Sequence, residues 1–309
     1  MITYLSIKPL LFAYLVLTTV YTHYRGKVRY KPLRQLTDHS TFMAPINSFM
    51  YLFSAIPNTP YLDKSLKEEY YPELQILRDN WEVIREEAKV LMDEGHVRIS
   101  TKRDDLGFNS FFKKGWKRFY LKWYDSFIPS AQQLCPKTVE LLKKVPSLNA
   151  AMFTMLPPGS KLVLHRDPYA GSLRFHMGII TPNSDDCYIS VDGIPYSWRD
   201  GEDVVFDETY LHTAENKTDQ DRLILFCDLA RPMTNRFATA VNRFISNKVM
   251  CHAATQNQDM DKLGLFNRFF KYIYMIRIAG KKIKTANRTF YYTLKYSLVA
   301  WAIYWILFK

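Results

Sequence analysis

The middle of the chain has the hydrophobic pattern of a β-rich domain. Between residues 117 and 231, short runs of alternating apolar and polar residues are separated by turn signals such as Asp192-Gly193. Many short strands at this spacing favour a sandwich, a barrel or a jelly roll. The pattern therefore predicts a mainly β core with flanking helices, and we place this core at residues 117–250.

Residues 72–95 predict an amphipathic helix that precedes the core. Apolar side chains recur there at near-helical spacing, and Gly95 supplies a stop signal. The apolar positions are Leu74, Ile76, Leu77, Trp81, Val83, Ile84 and Leu91. We assign residues 25–116 to a basic linker and a helical lead-in.

The N-terminal stretch predicts a membrane anchor. Residues 9–22 are almost wholly apolar, and with residues 1–7 they reach about 20 residues, which is enough to cross a bilayer. Lys8 lies near one end, where its side chain can reach the headgroups. Because no small-residue cleavage site follows, we expect an uncleaved transmembrane anchor over residues 1–24.

The C-terminal stretch, residues 251–309, predicts a basic, aromatic, membrane-associated segment. Its part from 262 to 309 contains ten Lys or Arg residues and no acid. Residues 296–308 are apolar but short, so two arrangements stay open. The segment either spans the bilayer by extending back to residue 290, or lies in the interface as an amphipathic element.

The net charge of +12 is concentrated beside these apolar runs. Residues 25–34 hold five basic residues and no acid, which is the pattern of a juxtamembrane segment. Segments rich in Lys and Arg next to a membrane span usually lie on the cytoplasmic side, so residue 25 onward is expected to face the cytoplasm. We do not expect a nucleic-acid partner, since no zinc-finger spacing, helix-turn-helix signature or RNP motif is present.

The four cysteines do not form a disulfide pattern. No two of them make a CxxC pair, so we expect buried reduced thiols, which suits a reducing compartment. They are Cys135, Cys187, Cys227 and Cys251.

One short motif indicates metal chemistry. His165 and Asp167 form an H-x-D pair after a predicted strand, and His212 lies farther along the chain after another. Two histidines and one carboxylate form the facial triad that holds Fe(II) and leaves positions open for other ligands. The H-x-D pair alone is weak evidence for a metal site, because a histidine in a turn followed by an aspartate that caps a helix or turn has the same sequence pattern.

Two further strands supply candidate polar groups. Alternation in residues 173–181 places Arg174 and His176 on one face of a strand. Arg222 opens an otherwise apolar strand, where a guanidinium can grip a carboxylate with two hydrogen bonds. The alternatives are a solvent-facing pair and an ordinary surface arginine.

Together these residues resemble a known family. Residues 153–231 are similar to the aspartyl/asparaginyl β-hydroxylase family, and most resemble its bacterial lipid A hydroxylase branch. The helical segment before the core is similar to the segment that precedes the core in that family. The resemblance implies a double-stranded β-helix, or jelly-roll, oxygenase that uses Fe(II), 2-oxoglutarate and O₂.

The resemblance also implies roles for individual residues. The implied iron ligands are His165, Asp167 and His212. Arg222 matches the arginine that pairs with the distal carboxylate of 2-oxoglutarate, and Arg174 and His176 match residues that line the cosubstrate pocket. Thr154 stands where some members have a serine that contacts the cosubstrate. The animal peptide hydroxylases have glycine at the position of Asp167, so this chain departs from them.

The implied function is hydroxylation of an acyl chain of lipid A at the inner membrane, with the catalytic domain facing the cytoplasm. One alternative is a peptide aspartyl/asparaginyl β-hydroxylase. This chain is less similar to the animal peptide hydroxylases because it keeps Asp167 where they have glycine. The other is a non-catalytic membrane-anchored jelly-roll binding protein, which would need a broken triad. The triad residues are all present.

Overall fold

A computed structural model of the protein describes residues 4–99, 105 and 108–308. The nine strands in this part of the chain are β1 Lys117–Trp123, β2 Ser126–Phe127, β3 Leu148–Leu156, β4 Ser172–Ile180, β5 Cys187–Val191, β6 Ile194–Ser197, β7 Asp203–Phe206, β8 His212–Asn216 and β9 Arg222–Ala230. All strands lie within the region where alternation predicted them.

The strands form two antiparallel sheets. The larger sheet has the order β2-β1-β3-β9-β4-β7, and the smaller has the order β6-β5-β8. In the larger sheet β9 lies between β3 and β4, in a register that places Arg174 opposite Asp228 and His176 opposite Phe226. Both sheets contribute side chains to one pocket. This arrangement confirms the predicted jelly-roll core.

Helices surround the sheets. They are α1 Tyr4–Tyr24, α2 Pro32–Leu36, α3 His39–Leu52, α4 Lys64–Tyr70, α5 Gln75–Asp79, α6 Trp81–Asp93, α7 Asn109–Phe112, α8 Pro129–Leu134, α9 Pro136–Lys143, α10 Arg236–Lys248, α11 Leu265–Ala286 and α12 Arg288–Phe308, with short 3₁₀ turns at Pro72–Leu74 and Met250–Ala253. The flanking helices that the sequence predicted are therefore present.

The predicted helix over residues 72–95 is helical but not continuous. It is divided into a 3₁₀ turn, α5 and α6, with the break at Asn80. The Asn80 side chain donates a hydrogen bond of 2.8 Å to the carbonyl oxygen of Ile76, and such local bonds compete with the helical ladder. The apolar face of α6, with Ile84, Ala88 and Leu91 buried, contacts β4. This contact helps explain why both faces of β4 are buried.

No helix within the described residues combines the length and the hydropathy that crossing a membrane requires. The prediction of a transmembrane anchor over residues 1–24 is therefore not supported. In α1, Lys8, three threonines and His23 interrupt the apolar run. Two of those threonines, Thr18 and Thr22, are buried rather than turned outward.

The N-terminal helices nevertheless expose many apolar side chains. α1 packs against α3, and the two helices expose Leu10, Leu17 and Phe42. The cysteines are all free thiols, and three of the four are buried, as expected from the sequence.

Candidate metal and cosubstrate site

Three side chains with metal-binding chemistry meet at the pocket between the sheets. The ligand atoms of His165, Asp167 and His212 all lie within 4.8 Å of one another. Two backbone hydrogen bonds hold the histidines side by side. The His165 amide donates to the His212 carbonyl at 3.0 Å, and the His212 amide donates back at 2.8 Å. A non-local strand contact therefore brings together residues that are distant in the sequence.

Both imidazoles are oriented by backbone carbonyls. Nδ1 of His165 lies 2.7 Å from the Val163 carbonyl oxygen, and Nδ1 of His212 lies 3.0 Å from that of Tyr210. Burial lowers the pKa of both rings, that of His212 to about 3. A neutral ring whose Nδ1 proton is held by a carbonyl presents Nε2 as a lone-pair donor, which is the form that binds metals.

Asp167 is held in its ionised form by Arg174. Burial acts to raise the pKa of this carboxyl, but the guanidinium and the nearby histidines outweigh it and bring the pKa to about 2. The Arg174 Nη2 atom lies 2.8 Å from Asp167 Oδ2. The carboxylate therefore keeps its charge and has one oxygen fixed by the arginine.

Arg174 is the centre of a buried acidic cluster. Its Nε lies 2.8 Å from Asp228 Oδ1, its guanidinium also pairs with Glu208, and the ring centroid of Phe226 lies 3.7 Å from its Cζ. Arg174 lines the pocket, but its Nε and Nη2 are engaged by these carboxylates and by Asp167. A direct contact with cosubstrate stays a prediction, whereas the geometry makes Arg174 the residue that orients Asp167.

Sequence reasoning missed the two other acids of this cluster. Asp228 had a signal that could have revealed it, since it is a carboxylate inside an apolar strand that is buried on both faces. Glu208 had no comparable signal. Burial raises its pKa well above the ordinary value despite Arg174, and Ser172 donates a hydrogen bond of 2.8 Å to it.

The same pocket also contains buried polar groups without partners. Arg222 is 2% exposed, its Nε has no hydrogen-bond acceptor, and no carboxylate within the described residues pairs with it. Its guanidinium lies 4.3 Å from the centroid of the Trp198 ring. Burial lowers the pKa of Arg222 to about 10. A buried cation without a partner destabilises the folded protein unless an anion binds next to it.

Three neighbours share this condition. Both ring nitrogens of His176, the Thr154 hydroxyl and the Trp198 indole N–H are buried without a hydrogen-bond partner in the protein. Each such group costs about 1–3 kcal/mol. All of them line the same pocket as Arg222. We call Arg222, His176, Thr154 and Trp198 the orphan cluster, and its chemistry suits a small anionic ligand with several acceptor oxygens.

Aromatic side chains form the remaining walls. The ring centroid of Phe111 lies 4.7 Å from that of His165, edge to face, and Trp116 packs against Phe111. His176 is flanked by Phe206 and Phe226, with centroids 4.9 and 5.0 Å away. These walls limit the access of water to the ligand atoms.

The seven residues singled out from the sequence therefore line one pocket. They are Thr154, His165, Asp167, Arg174, His176, His212 and Arg222. Their positions agree with the pattern, while their roles as ligands stay predictions.

Comparison with known proteins assigns the chain to a family. A sequence model described as aspartyl/asparaginyl beta-hydroxylase matches residues 78–232. The chain belongs to this family. The matched region contains all seven pocket residues and all strands of the larger sheet.

Several proteins are similar to this family member. One is a Rhizobium tropici protein named ornithine lipid ester-linked acyl 2-hydroxylase, 39% identical over 38% of this chain and 42% of that protein. Human aspartate beta-hydroxylase domain-containing protein 2 is 26% identical, over 59% of this chain and 50% of that protein. Human aspartyl/asparaginyl beta-hydroxylase is 28% identical, over 54% and 22%. The chain thus spans half or less of the length of these relatives.

Among solved structures, a Pseudomonas putida prolyl-4-hydroxylase is similar with a TM-score of 0.33 and 15% identity, covering 51% of this chain and 87% of that one.

Proposed function

We propose that this family member is an Fe(II)- and 2-oxoglutarate-dependent dioxygenase that hydroxylates an acyl chain of a membrane lipid, specifically lipid A. One observation carries the oxygenase part of the proposal. The His-Asp-His group and the orphan cluster lie in a single pocket, so a metal site adjoins a site for an anion.

The residues present fit Fe(II). His165, Asp167 and His212 would hold it through two neutral imidazoles and one ionised carboxylate, which is the donor set of a facial triad with open positions. When bound, Fe(II) together with 2-oxoglutarate and O₂ supplies an oxidant that hydroxylates an unactivated C–H bond.

The orphan cluster fits the cosubstrate. Arg222 would grip one carboxylate of 2-oxoglutarate, with the Thr154 hydroxyl and the Trp198 indole N–H as further donors. His176, also in this cluster, is neutral because burial lowers its pKa well below the ordinary value. A bound dicarboxylate would thus satisfy groups that the protein leaves unpaired.

The other residues of the pocket position and shield these groups. Arg174 keeps Asp167 ionised and fixes one of its oxygens. Phe111 and Trp116 present apolar surface next to His165, which suits an acyl chain better than a peptide side chain. Exclusion of water limits side reactions of the bound oxidant.

Two further observations support the proposal that the substrate is a lipid. The Rhizobium relative carries the name of an acyl hydroxylase that acts on ornithine lipid, and it is 39% identical over the region aligned. The terminal helices also expose apolar side chains and basic ones such as Lys281 and Lys284. We accordingly propose association with the inner membrane and a catalytic domain on its cytoplasmic side. Ornithine lipid is the second candidate substrate, on the strength of the same relative.

Mass spectrometry of lipids from cells with and without the gene tests the proposal. Cells without it should lose one hydroxyl from an acyl chain of lipid A, and a plasmid carrying His212→Ala should not restore it. A normal lipid A profile with a changed ornithine lipid would move the assignment to the second candidate. If neither lipid changes, the lipid assignment is wrong, and release of succinate from 2-oxoglutarate by the purified protein then decides whether it is an oxygenase.

A further inference from the structure

The segment between α1 and α3 lies directly against the loop that carries the candidate iron ligands. The Tyr30 hydroxyl donates a hydrogen bond of 3.2 Å to the carbonyl oxygen of Leu164, the residue before His165. Arg166, the residue after His165, donates from Nη1 to the Thr22 carbonyl at the end of α1, at 2.9 Å. The backbone on both sides of His165 is therefore tied to the N-terminal region.

Additional buried contacts make this attachment rigid. Arg25 is ion-paired with Asp207 and donates to the Thr209 hydroxyl at 2.6 Å. The Asp192 carboxylate accepts hydrogen bonds from the backbone amides of Lys27 and Val28, at 3.0 and 2.8 Å. Together these hydrogen bonds and the ion pair attach the segment to the core at several points, although Nε of Arg25 has no acceptor.

The outer side of this segment has an unusual composition. It exposes four basic side chains, those of Lys27, Arg29, Lys31 and Arg34. It also exposes two leucines, Leu33 by 67% and Leu36 by 59%. The first acidic residue in the chain is Asp38, so no carboxylate precedes or interrupts these cations. We call residues 27–36 the basic lip.

The basic lip adjoins the open side of the site. The side chains of His165 and Asp167 are 17% and 18% exposed, so the ligand cluster is not sealed. Val163 and Leu164, which lead into it, are exposed apolar residues, and Tyr30 of the basic lip contacts Leu164. Whatever binds the basic lip is thus held next to the mouth of the site.

We propose that the basic lip binds the phosphate-bearing headgroups of an anionic lipid surface and so holds the mouth of the site against the layer that contains the substrate. This inference rests on the proposed lipid substrate. The four exposed cations have no acidic residue among them in the sequence and are complementary to phosphates, and the exposed Leu33 and Leu36 match the shallow apolar zone below the headgroups. The helices α1 and α3, which flank the basic lip along the chain, also expose apolar side chains, among them Leu17 and Phe42.

Binding of the purified full chain to lipid vesicles tests this proposal without requiring turnover. Vesicles of a zwitterionic phospholipid are compared with vesicles that also contain phosphatidylglycerol. The test variant is Lys27→Gln/Arg29→Gln/Lys31→Gln, which leaves Arg34 in place because it donates to the Tyr30 hydroxyl. The matched control is Lys137→Gln/Lys143→Gln/Lys144→Gln, which removes three exposed charges at and just after α9.

Each cation near an anionic surface is worth about a fivefold change in partition, so the test variant should bind anionic vesicles roughly 100-fold more weakly. Its binding to zwitterionic vesicles and the behaviour of the control should change little. A variant with Arg29→Lys, which keeps the charge, should bind like the parent and shows that loss of charge rather than misfolding is responsible. Equal losses in the test and control variants, or no preference of the parent for anionic vesicles, would overturn the proposal. Because hydroxylation is not measured, either outcome leaves the proposed reaction untouched.

Discussion

Replacing Arg222 should have opposite effects on stability and on cosubstrate binding. The guanidinium is buried, has no carboxylate partner among the described residues and contacts the Trp198 ring. We consider Arg222→Met, which keeps an unbranched side chain of similar length and removes the charge. The protein without ligand should become more stable, and its affinity for 2-oxoglutarate should fall.

The magnitude on the stability side follows from the pKa of the guanidinium. Burial lowers this pKa from its ordinary value to about 10, and each pKa unit corresponds to about 1.36 kcal/mol, so holding the cation unpaired costs about 3 kcal/mol. The cost applies in full at neutral pH, where the arginine is charged in both states, and it declines as pH rises through 10. The lost cation–π contact with Trp198 offsets about 0.5–2 kcal/mol. The expected net gain is about 1–2.5 kcal/mol.

The magnitude on the binding side is larger. Truncating one partner of a buried, hydrogen-bonded charge pair costs about 2–5 kcal/mol, so the dissociation constant for 2-oxoglutarate should rise about 30-fold or more. Metal binding should change little, because the ligand cluster is oriented by other residues.

Two measurements separate these effects. Urea unfolding at pH 7 without ligand gives the change in the free energy of unfolding, and calorimetric titration with 2-oxoglutarate in oxygen-free Fe(II) buffer gives the affinity. Arg222→Lys is the control, since it keeps a charge but loses the planar fork. If Arg222→Met were less stable than the parent and bound 2-oxoglutarate equally well, the arginine would have a structural role and the reasoning would be refuted.

Four other substitutions test the remaining contacts. His212→Ala should abolish Fe(II) binding and turnover while circular dichroism stays near that of the parent; full activity would remove this residue from the ligand set. Arg174→Met frees the carboxylate of Asp167 and should weaken Fe(II) affinity about 10–100-fold, measured by metal titration, whereas unchanged affinity would exclude a positioning role. Asp207→Asn breaks pairs with two buried arginines and should cost about 3–5 kcal/mol in urea unfolding at pH 7. Although burial acts to raise the pKa of this carboxyl, those arginines hold it far below its ordinary value, so the deficit should shrink as pH falls below about 4; a deficit independent of pH would contradict this. Gly178→Ala should cost about 1–3 kcal/mol or prevent folding, because an added Cβ would lie 2.0 Å from a backbone carbonyl oxygen, and parent-like thermal stability would contradict the close approach.

Local pattern was sufficient for the strands, whereas the candidate ligands needed the family resemblance as well. Apolar residues in the core recur at every second position, and only an extended chain places such residues on one face. All described strands fall in the region with this pattern. The H-x-D pair and the arginine at the start of β9 could be found because they are polar or charged residues next to apolar runs in the sequence. Helical periodicity before the core was also read correctly, except at Asn80, where one side-chain hydrogen bond interrupts the helix.

Apolar runs at the termini were harder to interpret from sequence. A hydropathy pattern does not show whether threonines and a lysine face a partner helix or the surroundings, and α1 packs against α3 with Thr18 and Thr22 buried. The transmembrane prediction took the run as almost wholly apolar, with Lys8 near one end. In the structure the Thr18 hydroxyl donates a hydrogen bond of 2.7 Å to the backbone carbonyl oxygen of Tyr14, so a polar side chain in such a run can be buried with its hydrogen bond made inside the helix.

The sequence by itself determined which residue types were available for chemistry, and tertiary structure decided what surrounds them. The register between β4 and β9 places Asp228 opposite Arg174, so an arginine predicted to contact cosubstrate is already engaged by carboxylates. The absence of such a partner near Arg222 among the described residues is likewise a property of packing. Both are contacts between segments distant along the chain, and local periodicity contains no information about which strand becomes a neighbour or in which register.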